Sequence, residues 1–439
     1  MKTTDPAAVG LAGIAPRKNG TPPPDVPLAD ADLGTLEFWD QDDDLRDGAF
    51  ATLRREAPIS FFPTADVSGF EGGAGHWALT RFDDVHHASR HPELFSSRPT
   101  STSLNEVPPE IAEFVGSMIT LDDPRHLRLR SIVNRAFTPK VIARIEDSVR
   151  VRARTLVTAM VANHPDGQCD FVTELAGPLP LQIICDMMGI PEEDHDKVFH
   201  WTTAIIGVGD PDVSGEFDDI VKMVFELAAY GVALAEERRE HPGDDLTSNL
   251  VLAEVDGERL TSDEIASFFI LLTAAGNETT RNAISHGMVA LSRYPDERQK
   301  WWADFDGLAP TAVEEIVRWA SPIIFMRRTL TEDTELSGTH MKAGDKVSMW
   351  YSSANRDERK FANPWMFDVA RQPNPQIGFG AGGAHFCLGA NLARREVRLA
   401  FEELHRQIPD IVAITEPAIL RSAFVHGIKR QQVGWTPPA

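Results

Sequence analysis

Cys387 closes a glycine-rich loop, Gly378-Phe379-Gly380-Ala381-Gly382-Gly383-Ala384-His385-Phe386-Cys387-Leu388-Gly389, one residue ahead of an expected helix. A thiol placed there meets the positive end of a helix dipole and a group of backbone N–H donors. Both favour thiolate over thiol. No second Cys or His stands at the spacing of a zinc site. One thiolate as the sole protein ligand suits a metal whose other positions are filled by a macrocycle. A free cysteine is also an ordinary small buried hydrophobe, and the loop alone leaves that alternative open.

Gly378, Gly380 and Gly383 also spell G-x-G-x-x-G, the dinucleotide fingerprint. That motif follows a β-strand, because its first glycine turns the chain off the strand edge. The preceding residues, Arg371-Gln372-Pro373-Asn374-Pro375-Gln376-Ile377, carry two prolines and cannot form a central strand. A nicotinamide-dependent dehydrogenase is disfavoured on that ground.

Three other groups of residues carry potential chemistry. Ala275-Gly276-Asn277-Glu278-Thr279-Thr280 lies in the middle of a helix expected from Thr261. A glycine weakens a helix interior, and an acid followed by hydroxyls is expensive to bury. Gly276 would let a ligand approach the backbone, and Glu278 with Thr279 or Thr280 could organise water and deliver protons. The alternative is that these polar residues surface there. Glu315 and Arg318 stand at i,i+3 on one helix face, which alone describes a surface ion pair worth about 0.2–0.5 kcal/mol. His126 and Arg130 stand at i,i+4 and could clamp an anionic group such as a carboxylate, with Arg328 a further candidate for the same anion. A basic solvated face is the alternative.

The elements that must position these residues are mainly helical. Thr138-Pro139 opens one helix, with proline at its first position. Thr261-Ser262-Asp263-Glu264 is a capping box that opens another. Ala312 to Ala320 forms a shorter helix stopped by Ser321-Pro322. Leu392, Ala393, Val397, Ala400, Phe401, Leu404 and Ile408 recur at helical spacing after Cys387. Ile59–Phe62 and His76–Thr80 read as a strand pair, and Thr329 to Val347 as short strands with glycine turns. The fold class is mainly α with small β-sheets. Residues 1–30 read as a flexible tail ahead of a single domain over 31–439.

Composition bounds the function. The chain has 439 residues, 42% hydrophobic, and a net charge of −23, which repels nucleic acid. Three cysteines, Cys169, Cys185 and Cys387, argue against a disulfide framework and for a reducing compartment. The N-terminus lacks the apolar stretch of a signal peptide, and Ile265 to Gly276 is too short to span a bilayer. The expectation is a cytoplasmic protein with no membrane span.

The order and spacing of the groups, H-x-x-x-R, then A-G-x-E-T, then E-x-x-R, then an arginine, then a glycine-rich loop with H-x-C-x-G, resembles a cytochrome P450 from about Trp39 to Trp435. The resemblance implies a mostly helical fold with haem b between two long helices. It implies that Cys387 is the axial thiolate, and that His126, Arg130, Arg328 and His385 hold the haem propionates. Glu315 and Arg318 become a buried structural pair locking their helix against Asn355 to Arg371. Gly276, Glu278 and Thr279 line the oxygen site, with Thr280 the fallback hydroxyl. Phe379 sits eight residues before the cysteine where the family pattern has phenylalanine seven before, and Gly380 takes that place. The longer loop resembles a mycobacterial subgroup acting on sterols and methyl-branched lipids. Asn19–Pro24, Ala275–Asn282 and Phe424–Lys429 are similar to it too.

The activity implied is hydroxylation of a terminal methyl carbon of a long apolar substrate, such as an isoprenoid, a methyl-branched fatty acid or a sterol side chain. It uses O2 and two electrons. Expected pocket walls are Phe114, Met118, Ile119, Ile205, Ile206, Phe269, Leu272, Ala275, Ile323, Phe325, Phe424 and Val425, each of which could equally be plain core. With no fused flavin or iron–sulfur segment, the electrons are expected from a ferredoxin and its reductase, and the enzyme is expected to act as a monomer. Arg125, Arg128, Arg135, Arg394 and Arg395 could form a basic docking patch on the cysteine side. A haem-thiolate sensor without turnover is the other class, and a sensor needs no Glu278–Thr279 relay.

Overall fold

The structure, a computed structural model, describes residues 13–66, 70–134, 137, 139–213, 215–255 and 258–437. The helices that build the site are α1 (Asp43–Glu56), α2 (Pro109–Gly116), α3 (Arg125–Asn134), α4 (Pro139–Asn163), α5 (Pro178–Met188), α6 (His195–Ile206), α7 (Phe217–Glu240), α8 (Ser262–Arg293), α9 (Phe305–Ala320) and α10 (Ala390–Gln407). The expected mainly helical chain with small sheets is what is observed.

The 32-residue α8 is the spine. Its start is the expected capping box: Thr261 Oγ1 accepts from Glu264 N at 3.1 Å, and Glu264 Oε2 accepts from Thr261 N at 3.0 Å. Helices α2, α5, α6, α7, α9 and α10 all pack on it. A helix so enclosed loses water from most of its surface, which is why its apolar run from Ile265 is buried on nearly every side. Helix α9 begins at Phe305, seven residues earlier than Ala312. Asp304 caps it by accepting from Gly307 N, and Pro310 is carried inside.

A five-stranded sheet flanks the helices. Its strands are β1 (Ile59–Phe62), β2 (His76–Leu79), β3 (Phe95–Ser96), β4 (Phe325–Leu330) and β5 (Lys346–Trp350), in the spatial order β1-β2-β5-β4-β3. β5 runs parallel to β2 and antiparallel to β4, with Val347 opposite Arg328. Strand β4 thereby directs Arg328 inward.

Residues 13–30 are not a loose tail. Ile14 N donates to Ala413 O at 2.8 Å and its side chain is buried. The Asn19 amide pairs both ways with the Phe367 backbone, at 2.7 and 2.9 Å. Buried backbone contacts hold this stretch where composition suggested freedom; residues 1–12 lie outside the described residues. No helix among the described residues is long and apolar enough to cross a membrane.

Candidate active site

The glycine loop and Cys387 lie between α8 and α10, at one end of a cavity of about 930 Å³. The loop's shape follows from its glycines. Gly380, Gly382 and Gly383 have φ of +92°, +85° and +82°, a region that side chains with a Cβ avoid. At Gly383 a Cβ would also fall 2.4 Å from Ser89 O. Cys387 N donates to Phe379 O at 2.9 Å, closing the loop. The Phe379 ring lies under the Arg394 guanidinium, 4.4 Å from its centroid.

Helix α10 starts at Ala390, so Cys387 stands further from it than the sequence suggested. The Gly389 and Ala390 N–H groups nevertheless reach the sulfur. Cys387 is exposed where it lines the cavity, and the protein enclosing it pushes the thiol up from its ordinary value. Those two N–H groups, Arg130 and Arg394 act in the opposite direction without overcoming it. A metal cation bound at the sulfur would favour the thiolate. Cys169 and Cys185 are buried, and burial pushes both thiols up to about 12.

Four cationic or imidazole groups converge beside this end. His385 Nε2 meets Ser97 Oγ at 3.0 Å, and its ring packs 4.2 Å from that of His126. Burial and then Arg328 drive His385 down to about 2, so it is a neutral hydrogen-bonding group. His126 is buried, with Nδ1 on Asp123 Oδ1 at 3.1 Å and Nε2 without a partner among the described residues. Arg328 is buried; its bond to Arg327 O at 2.7 Å is not an ion pair, and burial holds it below its ordinary value. Arg130 donates to Phe386 O. An orphaned imidazole nitrogen and a buried guanidinium without a carboxylate are groups awaiting an anion. The carboxylates of a flat macrocycle seated against Cys387 fit them, so these residues suit haem.

Glu315 and Arg318 are fully buried and paired by two bonds of 2.8 Å. Arg318 also donates to Asn355 O, Pro364 O and Met366 O, which locks α9 to the segment expected. The sequence reading missed the third member. Arg371 Nε donates to both Glu315 oxygens at 3.1 and 3.0 Å. Asn355 then accepts from Ile377 N at 2.8 Å, so this network reaches the start of the cysteine loop. A long meander separates Arg371 from Glu315, and no helical or strand period links them.

On α8, Thr279 Oγ1 bonds to Ala275 O at 2.8 Å on the cavity wall. Thr280 is the buried one of the pair and bonds to Glu396 of α10. Glu278 is 1% exposed and raised by burial, against Arg281, with which it forms a contact ion pair, and the Thr203 hydroxyl at 3.2 Å. Gly276 lines the cavity, but its lack of a Cβ also answers Ile184 of α5, whose Cγ1 would lie 3.0 Å away. Thr203 and Glu396 had no motif to mark them.

Eleven of the expected walls line the cavity: Phe114, Met118, Ile119, Ile205, Ile206, Leu272, Ala275, Ile323, Phe325, Phe424 and Val425. Phe269 does not. It turns to α7, packing 5.9 Å from Tyr230 and closely over Gly231. The side chains of Leu36, Ile111, Val221 and Phe225 are exposed and line the same cavity, an apolar rim that no sequence period marks.

The expected basic patch is largely neutralised. Arg125 pairs with Glu113, Arg128 with Glu264, Arg394 with Glu314 and Arg395 with Glu146. Arg135 lies outside the described residues.

Comparison with known proteins agrees with this geometry. Residues 70–406 match the family described as Cytochrome P450. The chain is 69% identical over 423 residues to the methyl-branched lipid omega-hydroxylase of Mycobacterium tuberculosis, covering 96% of this chain and 99% of that protein. It is 39% identical over 435 residues to the steroid C26-monooxygenase of Mycobacterium bovis, covering 96% of each. A solved Mycobacterium marinum cytochrome P450 in complex with pseudoionone superposes with a TM-score of 0.89 at 41% identity, covering 94% of this chain and 99% of that one. Haem b is the cofactor such a site takes, and the chain belongs to the cytochrome P450 family of monooxygenases.

Proposed function

We propose that this enzyme hydroxylates the terminal methyl carbon of methyl-branched lipids, isoprenoids or sterol side chains, with O2 and two electrons from a ferredoxin and its reductase. It acts as a cytoplasmic monomer. The observation that carries the reading is the largely apolar cavity that Cys387 lines together with His385, Arg130 and Arg328. The named activities of the relatives at 69% and 39% identity support the substrate class.

Bound haem supplies oxygen activation and the hydroxylating oxidant, which thiolate ligation favours. Cys387 would hold it, and His126, Arg130, Arg328 and His385 would anchor its carboxylates. Thr279 presents a hydroxyl to the cavity, and Glu278 stands behind it as the carboxyl that moves protons to it. The apolar walls exclude water and orient the chain. Each methylene moved from water onto such a wall contributes about 0.8 kcal/mol, so affinity should rise with chain length until the cavity is filled. A primary C–H bond is harder to attack than its neighbours. The walls nearest Cys387 must therefore admit a chain end and hold the subterminal carbons away.

The test has two arms. Reduced, CO-treated protein should show the red-shifted Soret band of a thiolate haem, and Cys387→Ser should abolish it. A panel of branched fatty acids, isoprenoids and sterols, scored by spin-state shift and product position, should give terminal alcohols. Subterminal products throughout would overturn the regiochemistry.

A further inference from the structure

The cavity has one cation that the haem site does not use. Among the described residues, its lining carries four cationic or imidazole groups: Arg130, Arg328, His385 and Arg421. The first three are groups suited to haem carboxylates. Arg421 belongs to a different segment, the one that supplies the walls Phe424 and Val425.

The Arg421 side chain is partly buried and pairs with no carboxylate among the described residues. Its Nε and Nη2 both donate to Gly209 O, in the loop after α6, at 3.1 and 2.7 Å. Gly209 lines the same cavity. The acids of that loop are committed elsewhere. Asp210 is 1% exposed; it accepts from the Arg421 backbone N at 2.9 Å and pairs with Lys429 at 2.9 Å. Asp212 accepts from the same lysine at 2.8 Å. Asp210 and Lys429 thus already fasten the loop to this segment, while the guanidinium charge stays unneutralised.

A guanidinium is a planar fork. The edge that carries Nε is taken by Gly209 O. The terminal edge, Nη1 with the second proton of Nη2, has no partner among the described residues. That edge matches the two oxygens of a carboxylate. A cation on an apolar wall is destabilising unless an anion or water meets it. Glu110 and Asp263 also line the cavity, both exposed, and both would repel a carboxylate, which leaves Arg421 as the place for one.

We infer that Arg421 binds the carboxylate of the substrate, so that free methyl-branched fatty acids are favoured over their esters and over uncharged isoprenoids and sterols. The inference rests on the lipid-hydroxylating reading above and narrows it. A head group held at Arg421 leaves the chain to the apolar walls and its far end as the part free to reach Cys387. Neutral lipids still enter, since the walls serve their chains, but they lack this contact.

The test is a matched series: one long methyl-branched fatty acid, its methyl ester and the corresponding primary alcohol. Each is titrated into the haem-loaded enzyme and read by spin-state shift. At a pH where it is ionised, the acid should bind about tenfold or more tightly than the ester. Added salt should narrow the gap. Arg421→Gln should close it, and Arg421→Lys, which keeps the charge without the fork, should retain part of it. A guanidinium that only fastens the Gly209 loop would weaken all three ligands alike and leave the acid-to-ester ratio as it was; that result overturns the inference. Equal binding of acid and ester by the wild-type enzyme overturns it too. Should both substitutions lose haem, a crystal structure with the acid bound decides: a carboxylate on the Nη1–Nη2 edge supports the site, and one elsewhere overturns it. Terminal alcohols from the whole series without any acid preference sink the head-group site alone. No spin shift from any member takes down the lipid reading, and this inference with it.

Discussion

Thr203 Oγ1 donates to Glu278 Oε1 at 3.2 Å, tying the last turn of α6 to the buried acid of α8. The link is chemically uneven. The hydroxyl and Arg281 both pull the carboxyl down, and burial pushes it up by more. Ile205 and Ile206 of the same turn wall the cavity, so one short segment touches both substrate space and proton source.

Thr203→Val removes one of the two groups that lower Glu278. The carboxyl then rises further, and the lost bond destabilises the fold by about 1 kcal/mol. Product formed per electron pair, followed against pH, should keep its shape but shift its Glu278-dependent limb to higher pH. A limb that stays in place shows that the hydroxyl does not act on this carboxyl.

Glu396 gives a stability prediction with a definite sign. Burial raises this carboxyl from 4.5 to about 8, against a lowering bond from Thr280. The folded protein therefore binds the proton more tightly than the unfolded chain. Its stabilising contribution is full below about 4.5 and is lost as pH rises through about 8. Glu396→Gln should remove a slope of about 1.4 kcal/mol per pH unit over that window. Denaturant unfolding at pH 5, 7 and 9 should show the variant gaining on wild type as pH rises.

Arg318 illustrates what a buried pair does when half of it goes. Arg318→Ala leaves Glu315 with Arg371, Asn374 and Asp368 N and strands the Asn355 and Pro364 carbonyls. The expected loss is about 3–5 kcal/mol. Because Asn355 and Ile377 depend on the same network, haem content should fall with the thermal midpoint.

Arg328 should behave in the opposite way in the two forms of the protein. Without haem its guanidinium is buried with no ion pair among the described residues. Arg328→Met should therefore stabilise the apoprotein by about 1–3 kcal/mol. The same change should weaken haem retention tenfold or more, about 1.4 kcal/mol, because a carboxylate loses its partner. Apoprotein unfolding and haem transfer to a scavenger measure the two effects separately.

The legible part of this chain was the part written in local signals. The capping box at Thr261, the proline opening at Pro139 and the glycines around Cys387 each act within a few residues, and each stands where the sequence placed it. Eleven of the twelve expected walls line the cavity; Phe269 does not, because its helical position sends the side chain to α7. Arg371, Thr203 and Glu396 meet their partners only through the fold, at separations no periodicity spans. Net charge likewise does not reveal that Arg125, Arg128, Arg394 and Arg395 each have a carboxylate beside them.

The clasp between Asn19 and Phe367, with Ile14 on Ala413, has a consequence for how the protein is born. Chains emerge from the ribosome N-terminus first, and local pieces fold as they appear. Here the earliest described residues must wait for partners made some 350 to 400 residues later. This segment thus settles only after the meander that Glu315 and Arg318 secure has been made. The haem-binding end acquires its outer brace only once residues as late as Ala413 have emerged.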